Sequence, residues 1–344
     1  MPKWIKYSLL ISLFKFNMSF SQNPQLNNTG IRLMFYNVEN LFHPDNDSLK
    51  NDDEFTKEGI RYWSYYRYQI KLNQIAQNII AIGEWEPPAI VGLCEIENLT
   101  CLKDLIYNTP LKAYGYKIIH QESKDKRGID VALLYREEYF NLISFKAFEL
   151  KFPKDSRPSR DILYVKGKIK NDTLHCFVNH WPSRYGGQLA TTPKREFAAK
   201  VLKSKFDSIQ KNNPFTNIIA MGDFNDYPSN NSMYNILKAK KETDSLKKYD
   251  LINLLWPFTA KQGTNKYKHE WHILDQFIIN QNLNIQSKTL YSPSHFVNIF
   301  KPNWLMTDEN DGFGKKPFRT YNGYKYIGGY SDHLPIYTDI IMVD

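Results

Sequence analysis

The chain has 344 residues, of which 42% are hydrophobic and 24% charged, with 16 glycines and 17 prolines. This balance excludes a disordered or collagen-like polypeptide and allows a large core in one large or two medium domains. A net charge of +9 and a pI near 9.1 favour anionic partners such as nucleic acid, a phosphorylated substrate or an anionic membrane surface.

Residues 1–22, MPKWIKYSLLISLFKFNMSFSQ, place Lys3 and Lys6 ahead of a short apolar stretch from Tyr7 to Phe14, followed by the small residues Ser19 and Ser21. The pattern reads as a signal peptide cleaved near Gln22, which makes the mature protein secreted or periplasmic; the alternative is an amphipathic tail on a cytoplasmic protein. The apolar run is too short to anchor the chain, and no other stretch approaches the roughly 20 residues a span needs. Cys94, Cys101 and Cys176 are too few for a disulfide framework and lack zinc-ligand spacing, so they read as buried thiols.

IRLMFYNVEN from Ile31 reads as a strand, rich in branched and aromatic residues. Leu72, Ile75, Ala76, Ile79 and Ile80 then recur at helical spacing up to Gly83, a suitable helix end. AIVGLCEIEN is a continuous apolar strand, and a short helical pattern follows through Leu99, Leu102, Leu105 and Ile106. Further strands are expected at YKIIHQ, IDVALLYR, DILYVKGKI and TLHCFVNHW. A second long helix, with Ala198, Val201, Leu202, Phe206 and Ile209 on one face, precedes the strand NIIAMGDF. A short helix is expected around Ser232 to Lys238, and the last strands at HILDQFII and LPIYTDIIMV. The basic runs KREFAAKVLKSK and KAKKETDSLKK read as solvated helix faces. Segments 43–68 and 291–330 are polar and aromatic excursions, the second a long ordered loop. No linker, repeat or shift of composition divides residues 23–344, which read as a single domain.

Four of these strands run into a residue able to bind metal or phosphate: Asn37 after LMFY, Glu95 after IVGLC, His180 after CFVN, and Asp223 with Asn225 after IIAMG. Asp275 in HILDQF, and Asp332 with His333 in SDHLPIY, sit at or near strand starts. Sheet proteins bind ligands where strands meet loops, because the sheet holds the loop roots rigid. Taken singly, each motif has a plain structural explanation. GDFNDYP is made of turn-forming residues, Glu95 suits a helix N-terminus, and SDH suits a strand entry that bonds local backbone. Asp275 is harder to explain away, since an acid inside an apolar strand needs a partner. Jointly they form a hard oxygen set suited to Mg²⁺, Mn²⁺ or Ca²⁺, with two imidazoles for proton transfer and phosphate contact. In an extended segment Asp223 and Asn225 would face the same side. Asp332 and His333 can share a site only if they lie on the loop before a strand.

The ordered set NVEN, GLCEIEN, NHWPS, GDFND, HILDQF and SDHLPI resembles the endonuclease/exonuclease/phosphatase superfamily, which contains pancreatic-type DNases, apurinic endonucleases, bacterial sphingomyelinases and inositol polyphosphate 5-phosphatases. DEFTKEGIRYWSYYRYQIKL and NHWPSRYGGQ are similar to a bacterial exported-type branch. The resemblance runs from about Ile31 to Ile340. It implies an α/β (α+β) fold, a four-layer αββα sandwich of two mixed β-sheets face to face with helices outside. It also implies that Glu95 is the main metal ligand, with Asn37 and Asp332 completing or supporting the metal site, and that Mg²⁺ is the cofactor. Asp223 would orient or deprotonate the attacking water, and Asn225 would hold the scissile phosphate or a neighbouring ligand. His333, held by Asp275, would contact the phosphate, and His180 would contact it as the candidate general acid. Arg184, four residues past His180, is a candidate donor to a substrate phosphate, with a loop-stabilising ion pair as the alternative.

The chain lacks the glycine-rich continuation after Asn37 that apurinic endonucleases carry, and it has Gln276 where the 5-phosphatases carry arginine after the aspartate. The expectation is a monomeric, secreted or periplasmic phosphodiester hydrolase, foremost a nuclease. The alternatives are a phosphatase or phospholipid phosphodiesterase on the same site, or a non-catalytic binding protein on this scaffold.

Overall fold

The computed structural model describes residues 30–152, 157–259, 262–286, 288–309 and 312–343; the expected signal peptide at 1–22 lies outside them. The chain opens with strand β1 (Gly30–Leu41), buried over nearly its whole length. Helix α1 (Tyr65–Gly83) is capped by the Ser64 hydroxyl, which accepts from the Arg67 amide, and it stops at Gly83 with Glu84 at a φ of 58°. β2 (Ile90–Ile96) then pairs parallel with β1. Helix α2 (Leu99–Tyr107), β3 (Lys117–His120) and β4 (Asp130–Tyr135) complete this half.

The second sheet begins with a meander of β5 (Asn141–Phe148), β6 (Ile162–Ile169) and β7 (Asp172–His180). Helix α3 (Gln188–Asn212) crosses over to β8 (Asn217–Asp223), parallel to β7. After β9 (Ala239–Lys240), β10 (Leu251–Asn253) and the hairpin of β11 (Asn265–Tyr267) with β12 (Glu270–His272), β13 (Asp275–Asn280) inserts between β8 and β10. The chain returns to the first sheet through β14 (Leu290–Tyr291) and β15 (Asn298–Ile299). Two short hairpins follow, β16 (Met306–Asp308) with β17 (Lys315–Pro317) and β18 (Tyr321–Asn322) with β19 (Lys325–Tyr326). β20 (Ile336–Met342) closes against β1.

Alternation along the strands explains the layering. Leu33 and Phe35 of β1 face the second sheet and join Val165, Cys176, Ile219 and Phe277 in the central core. Met34 and Tyr36 point the other way, onto the α1 and α2 residues Leu72, Ile75, Ile79, Leu102 and Leu105. On the far side, Phe177, Ala220 and Ile278 pack against Leu202 and Phe206 of α3. Three apolar seams therefore separate four layers, and strands covered on both faces read as continuous apolar runs. Gly92 sets the gap between the sheets, because a Cβ there would lie 2.6 Å from the Met221 sulfur.

Several expectations need correction. Segment 291–330 is a largely irregular excursion that also carries the short strands β14 to β19, and the helix expected around Ser232 is a single π-turn, Ser232–Ile236. β5 escaped the sequence reading because it is an edge strand with Leu142, Ile143 and Phe145 exposed, so burial leaves no pattern in it. Arg195 in KREFAAKVLKSK is fully buried rather than solvated, because it neutralises a buried acid. The three described cysteines are free and buried, and no helix among the described residues is long and apolar enough to cross a membrane.

Candidate active site

Strand register assembles the site. His180 lies opposite Asp223 across the parallel pair β7 and β8, and Asp223 lies opposite Asp275 across β8 and β13, so three functional side chains form one row on neighbouring strands. The facing sheet supplies Asn37 and Glu95 from the parallel pair β1 and β2. Here the ladder breaks. Pairing skips between Asn37 and Leu41, and between Cys94 and Ile96, with Glu39, Asn40 and Glu95 at positive φ of 52°, 55° and 65°. Such conformations cost about 1–3 kcal/mol each, and a bulge re-aims the side chain it carries. The re-aimed Glu95 accepts from the Asn40 amide at 2.9 Å and from Asn37 Nδ2 at 3.3 Å. The same Asn37 nitrogen reaches Asp223 Oδ2 at 3.2 Å and so bridges the two sheets.

The two histidines are tuned in opposite directions. His333 Nδ1 lies 2.7 Å from Asp275 Oδ2, and its Nε2 lies 3.9 Å from Asp223 Oδ2. Burial works against its charge, but Asp275, Asp223 and Asp332 prevail and hold its pKa well above the ordinary value. His180 Nε2 lies 3.8 Å from both Glu95 Oε1 and Asp223 Oδ2. Burial, reinforced by Arg160, Arg127 and His333, pushes its pKa well below the ordinary value. Its Nδ1 is buried without a hydrogen-bond partner. Burial also raises Asp223 to about 7, with Asp275 and Glu95 adding to the rise and His333 opposing it.

Asp332 and His333 lie on the loop before β20, which meets the condition for serving one site. Ser331 fixes that loop by donating to the Asn37 carbonyl at 2.7 Å and accepting from the His333 amide at 3.1 Å. The Asp332 carboxylate faces Arg319 at 3.4 Å, and no hydrogen bond or ion pair joins it to Glu95 among the described residues. Asn225 departs from the extended geometry expected of it. At a φ of 52° its side chain turns onto the Trp181 carbonyl (3.0 Å), while its amide donates to Asp223 Oδ1 (2.9 Å). Arg184 donates to the Asn225 carbonyl (2.8 Å), to Asp226 (3.1 Å) and to Asn230 (3.0 Å), and it stacks over Tyr227.

Three supporting groups escaped the sequence reading. Buried Arg195 pairs with Asp226 at 2.8 Å. Buried Arg160 donates to the same Trp181 carbonyl that holds Asn225, at 2.7 Å. Buried Lys71 ties α1 to the Thr320 hydroxyl at 2.7 Å, and Glu39 links Arg319 to the Thr320 amide. Lys71 sits on a helix whose visible signal is its apolar stripe, so only three-dimensional packing identifies it.

Among the described residues, Asp223, Asp275 and His333 bring potential metal-binding atoms within 4.8 Å of one another. An imidazole kept protonated by Asp275 has no lone pair for a cation, which leaves the carboxylates as the donors. Asp275 Oδ1 is buried without a partner and Glu95 is partly exposed, so oxygen donors suited to a hard divalent ion are present.

Residues 32–342 match the Endonuclease/Exonuclease/phosphatase family over nearly the whole described chain. The chain belongs to that family. As an Endonuclease/Exonuclease/phosphatase protein it is a hydrolase acting on phosphate ester bonds, in a family whose enzymes are typically dependent on divalent metal. No curated protein matches the sequence. Among solved structures it is similar to an endonuclease/exonuclease/phosphatase family protein from Bacteroides thetaiotaomicron, at 16% identity and TM-score 0.55, covering 92% of this chain and 96% of that one. The human Nocturnin catalytic domain with bound sulfate matches at 16% identity and TM-score 0.54, covering 91% and 95%. A Bacteroides thetaiotaomicron mannosyl-6-phosphatase matches at 16% identity and TM-score 0.54, covering 90% and 99%. At this identity the likenesses carry the fold.

Proposed function

We propose that this protein is a divalent-metal-dependent phosphodiester hydrolase, foremost a nuclease, secreted or periplasmic and acting as a monomeric single domain over residues 23–344. The observation that carries the reading is the convergence of Asn37, Glu95, His180, Asp223, Asp275 and His333, from two sheets, through contacts of 2.7–3.9 Å. Glu95 would hold the ion, with Asn37 and Asp332 supporting it. Asn37 turns its amide nitrogen toward Glu95 and its oxygen onto the Glu39 amide, so its part is to orient Glu95. A bound Mg²⁺ would offset the negative charge of the phosphate, which otherwise repels an incoming nucleophile. Mn²⁺ or Ca²⁺ suits the same donors.

The chain's own groups divide the remaining work. Asp223, raised to about 7, titrates where a general base is most effective, and it accepts the proton of the attacking water. His333, kept cationic by Asp275, donates to a phosphate oxygen. His180, kept neutral, contacts the phosphate through Nε2, and the charge balance makes His333 the better proton donor of the two. Arg184 is taken up by the Asn225 carbonyl, Asp226 and Asn230, the loop-stabilising arrangement beside Asp223, and its partly exposed side would be what a substrate phosphate meets. The positive balance of the chain suits a polyanionic substrate, so affinity should fall as salt rises.

The test is hydrolysis of DNA, RNA, a p-nitrophenyl phosphodiester and a panel of phosphomonoesters, including mannose 6-phosphate. Each is assayed with Mg²⁺, with EDTA and with Asp223→Asn. Nucleic-acid cleavage that needs the ion and Asp223 is expected. Turnover of phosphomonoesters alone would move the assignment to a phosphatase, and turnover indifferent to EDTA or to the substitution would remove the mechanism.

A further inference from the structure

The 2.7 Å contact between His333 Nδ1 and Asp275 Oδ2 joins groups rooted in different sheets. Asp275 opens β13, which pairs with β8 and β10. His333 lies on the loop before β20, which pairs with β1, β14 and β15. The segment that spans the two is Thr264 with Asn265, where the β11–β12 hairpin begins. Thr264 is fully buried. Its hydroxyl oxygen accepts from the amides of Leu274 at 3.2 Å and Asp275 at 3.1 Å, and its carbonyl accepts from the Leu334 amide at 2.7 Å. One residue therefore holds the backbone at or beside both members of the pair. Asn265 adds a β-bridge to His333, and its Nδ2 donates to the Asp332 carbonyl at 3.0 Å. Thr264 is itself fixed against the other arm of the hairpin: its amide and its hydroxyl donate to the His272 carbonyl at 2.8 Å and 3.4 Å, and a Cβ on neighbouring Gly263 would lie 2.6 Å from the His272 nitrogen.

A hydroxyl that accepts two amides in a buried seam does more than fill space. Buried amides need acceptors, and leaving one bare costs more than the net worth of the bond it made. Without the hydroxyl, the entry of β13 would shift until the Leu274 and Asp275 amides found other acceptors, and the Asp275 carboxylate would move with its backbone. A hydrogen bond weakens steeply with misalignment, and reacting groups must be held to within about 0.5 Å. Among the described residues no hydrogen bond joins Thr264 to the Asp275 carboxylate or the His333 imidazole, so it acts through their backbones. We propose that Thr264 is a positioning residue for phosphate-ester hydrolysis, which together with Asn265 sets the separation between the backbones of Asp275 and His333. The proposal rests on the reading of His333 and Asp275 as a catalytic pair.

The test compares Thr264→Val, which keeps the shape and removes the hydroxyl, with Thr264→Ser, which keeps the hydroxyl. Steady-state kinetics on a p-nitrophenyl phosphodiester with Mg²⁺ are paired with the downfield proton resonance of the His333–Asp275 hydrogen bond, assigned by its absence in His333→Gln. The resonance needs no substrate, which separates failure of the proposal from failure of the hydrolytic reading. Thr264→Val should lower kcat about 30-fold with KM held within about twofold, since a misplacement of about 1 Å can cost about 10²-fold, and it should shift or broaden the resonance. Thr264→Ser should return kcat to within about threefold of the parent and restore the resonance. Asn265→Ala, which decides the matter where valine prevents folding, should lower kcat about tenfold and also move the resonance. Equal losses in Thr264→Val and Thr264→Ser, or an unchanged kcat and resonance in Thr264→Val and Asn265→Ala, would overturn the proposal. So would a Thr264→Val protein of lower Tm whose folded fraction turns over at the parent kcat, because the hydroxyl would then serve stability alone.

Discussion

Two groups of buried acids in this protein solve the same electrostatic problem differently. Asp223 and Asp275 enclose His333, so the cluster carries its own cation. Asp52 and Glu97, on the other side of the Glu95 bulge, have only backbone amides and each other. The first arrangement is poised for proton transfer; in the second, burial pushes Glu97 up to about 8 within hydrogen-bonding reach of Asp52, so one proton held between the two carboxyls relieves their repulsion. Burial of an acid therefore says little about function until its counter-charge has been located.

The sharpest way to break the contrast is Asp223→Asn. Removing the base should lower kcat about 10³-fold, or about 4 kcal/mol of barrier, while Tm stays level or rises because a crowded buried charge is gone. Steady-state kinetics and a thermal scan check both halves. Asp275→Asn keeps the shape of the triad but removes the charge that holds His333 protonated; kcat should fall about 10²-fold, and the alkaline limb of the pH–rate profile should move to lower pH. Arg195→Gln should have the next largest effect. It removes the fully buried one of the two guanidinium partners of Asp226, which Arg195 meets at 2.8 Å and Arg184 at 3.1 Å, and should cost about 2 kcal/mol of stability in a denaturant titration.

His175 extends the contrast to a buried imidazole bonded to the Tyr164 hydroxyl instead of an acid. Burial, with a smaller contribution from Lys166, lowers its pKa to about 4. As pH falls the unfolded chain takes up this proton near 6.5, before the folded chain does, so stability drops between about 6.5 and 4 and levels off below. The loss is on the order of 2 kcal/mol, and His175→Gln should flatten this part of the stability–pH curve.

The strands that carry function were readable because burial on both faces makes them uninterrupted apolar runs, and their ends carry the polar motifs. Asp275 was legible for a simple reason: an acid in such a run requires a partner, and His333 supplies it. Register was not legible. No periodicity announces that His180, Asp223 and Asp275 fall in one row, or that bulges at Glu39 and Glu95 turn a carboxylate across the gap. Arg195 and Lys203 sat in a basic run indistinguishable by spacing from a solvated face, yet both are buried. Asn225 was misjudged because a left-handed turn, invisible in composition, replaced the extended backbone assumed for it.

Gly92 acts as a spacer of fixed thickness. Each half of the reaction centre is rooted in a different sheet, and the sulfur of Met221 rests where a side chain on residue 92 would stand. A single methyl there must displace the Met221 thioether or part the sheets, and parting them would move Glu95 away from Asp223 with every reactive group still present. Loss of turnover in a well-folded Gly92→Ala protein would show that activity here depends on sheet separation as well as on the groups themselves.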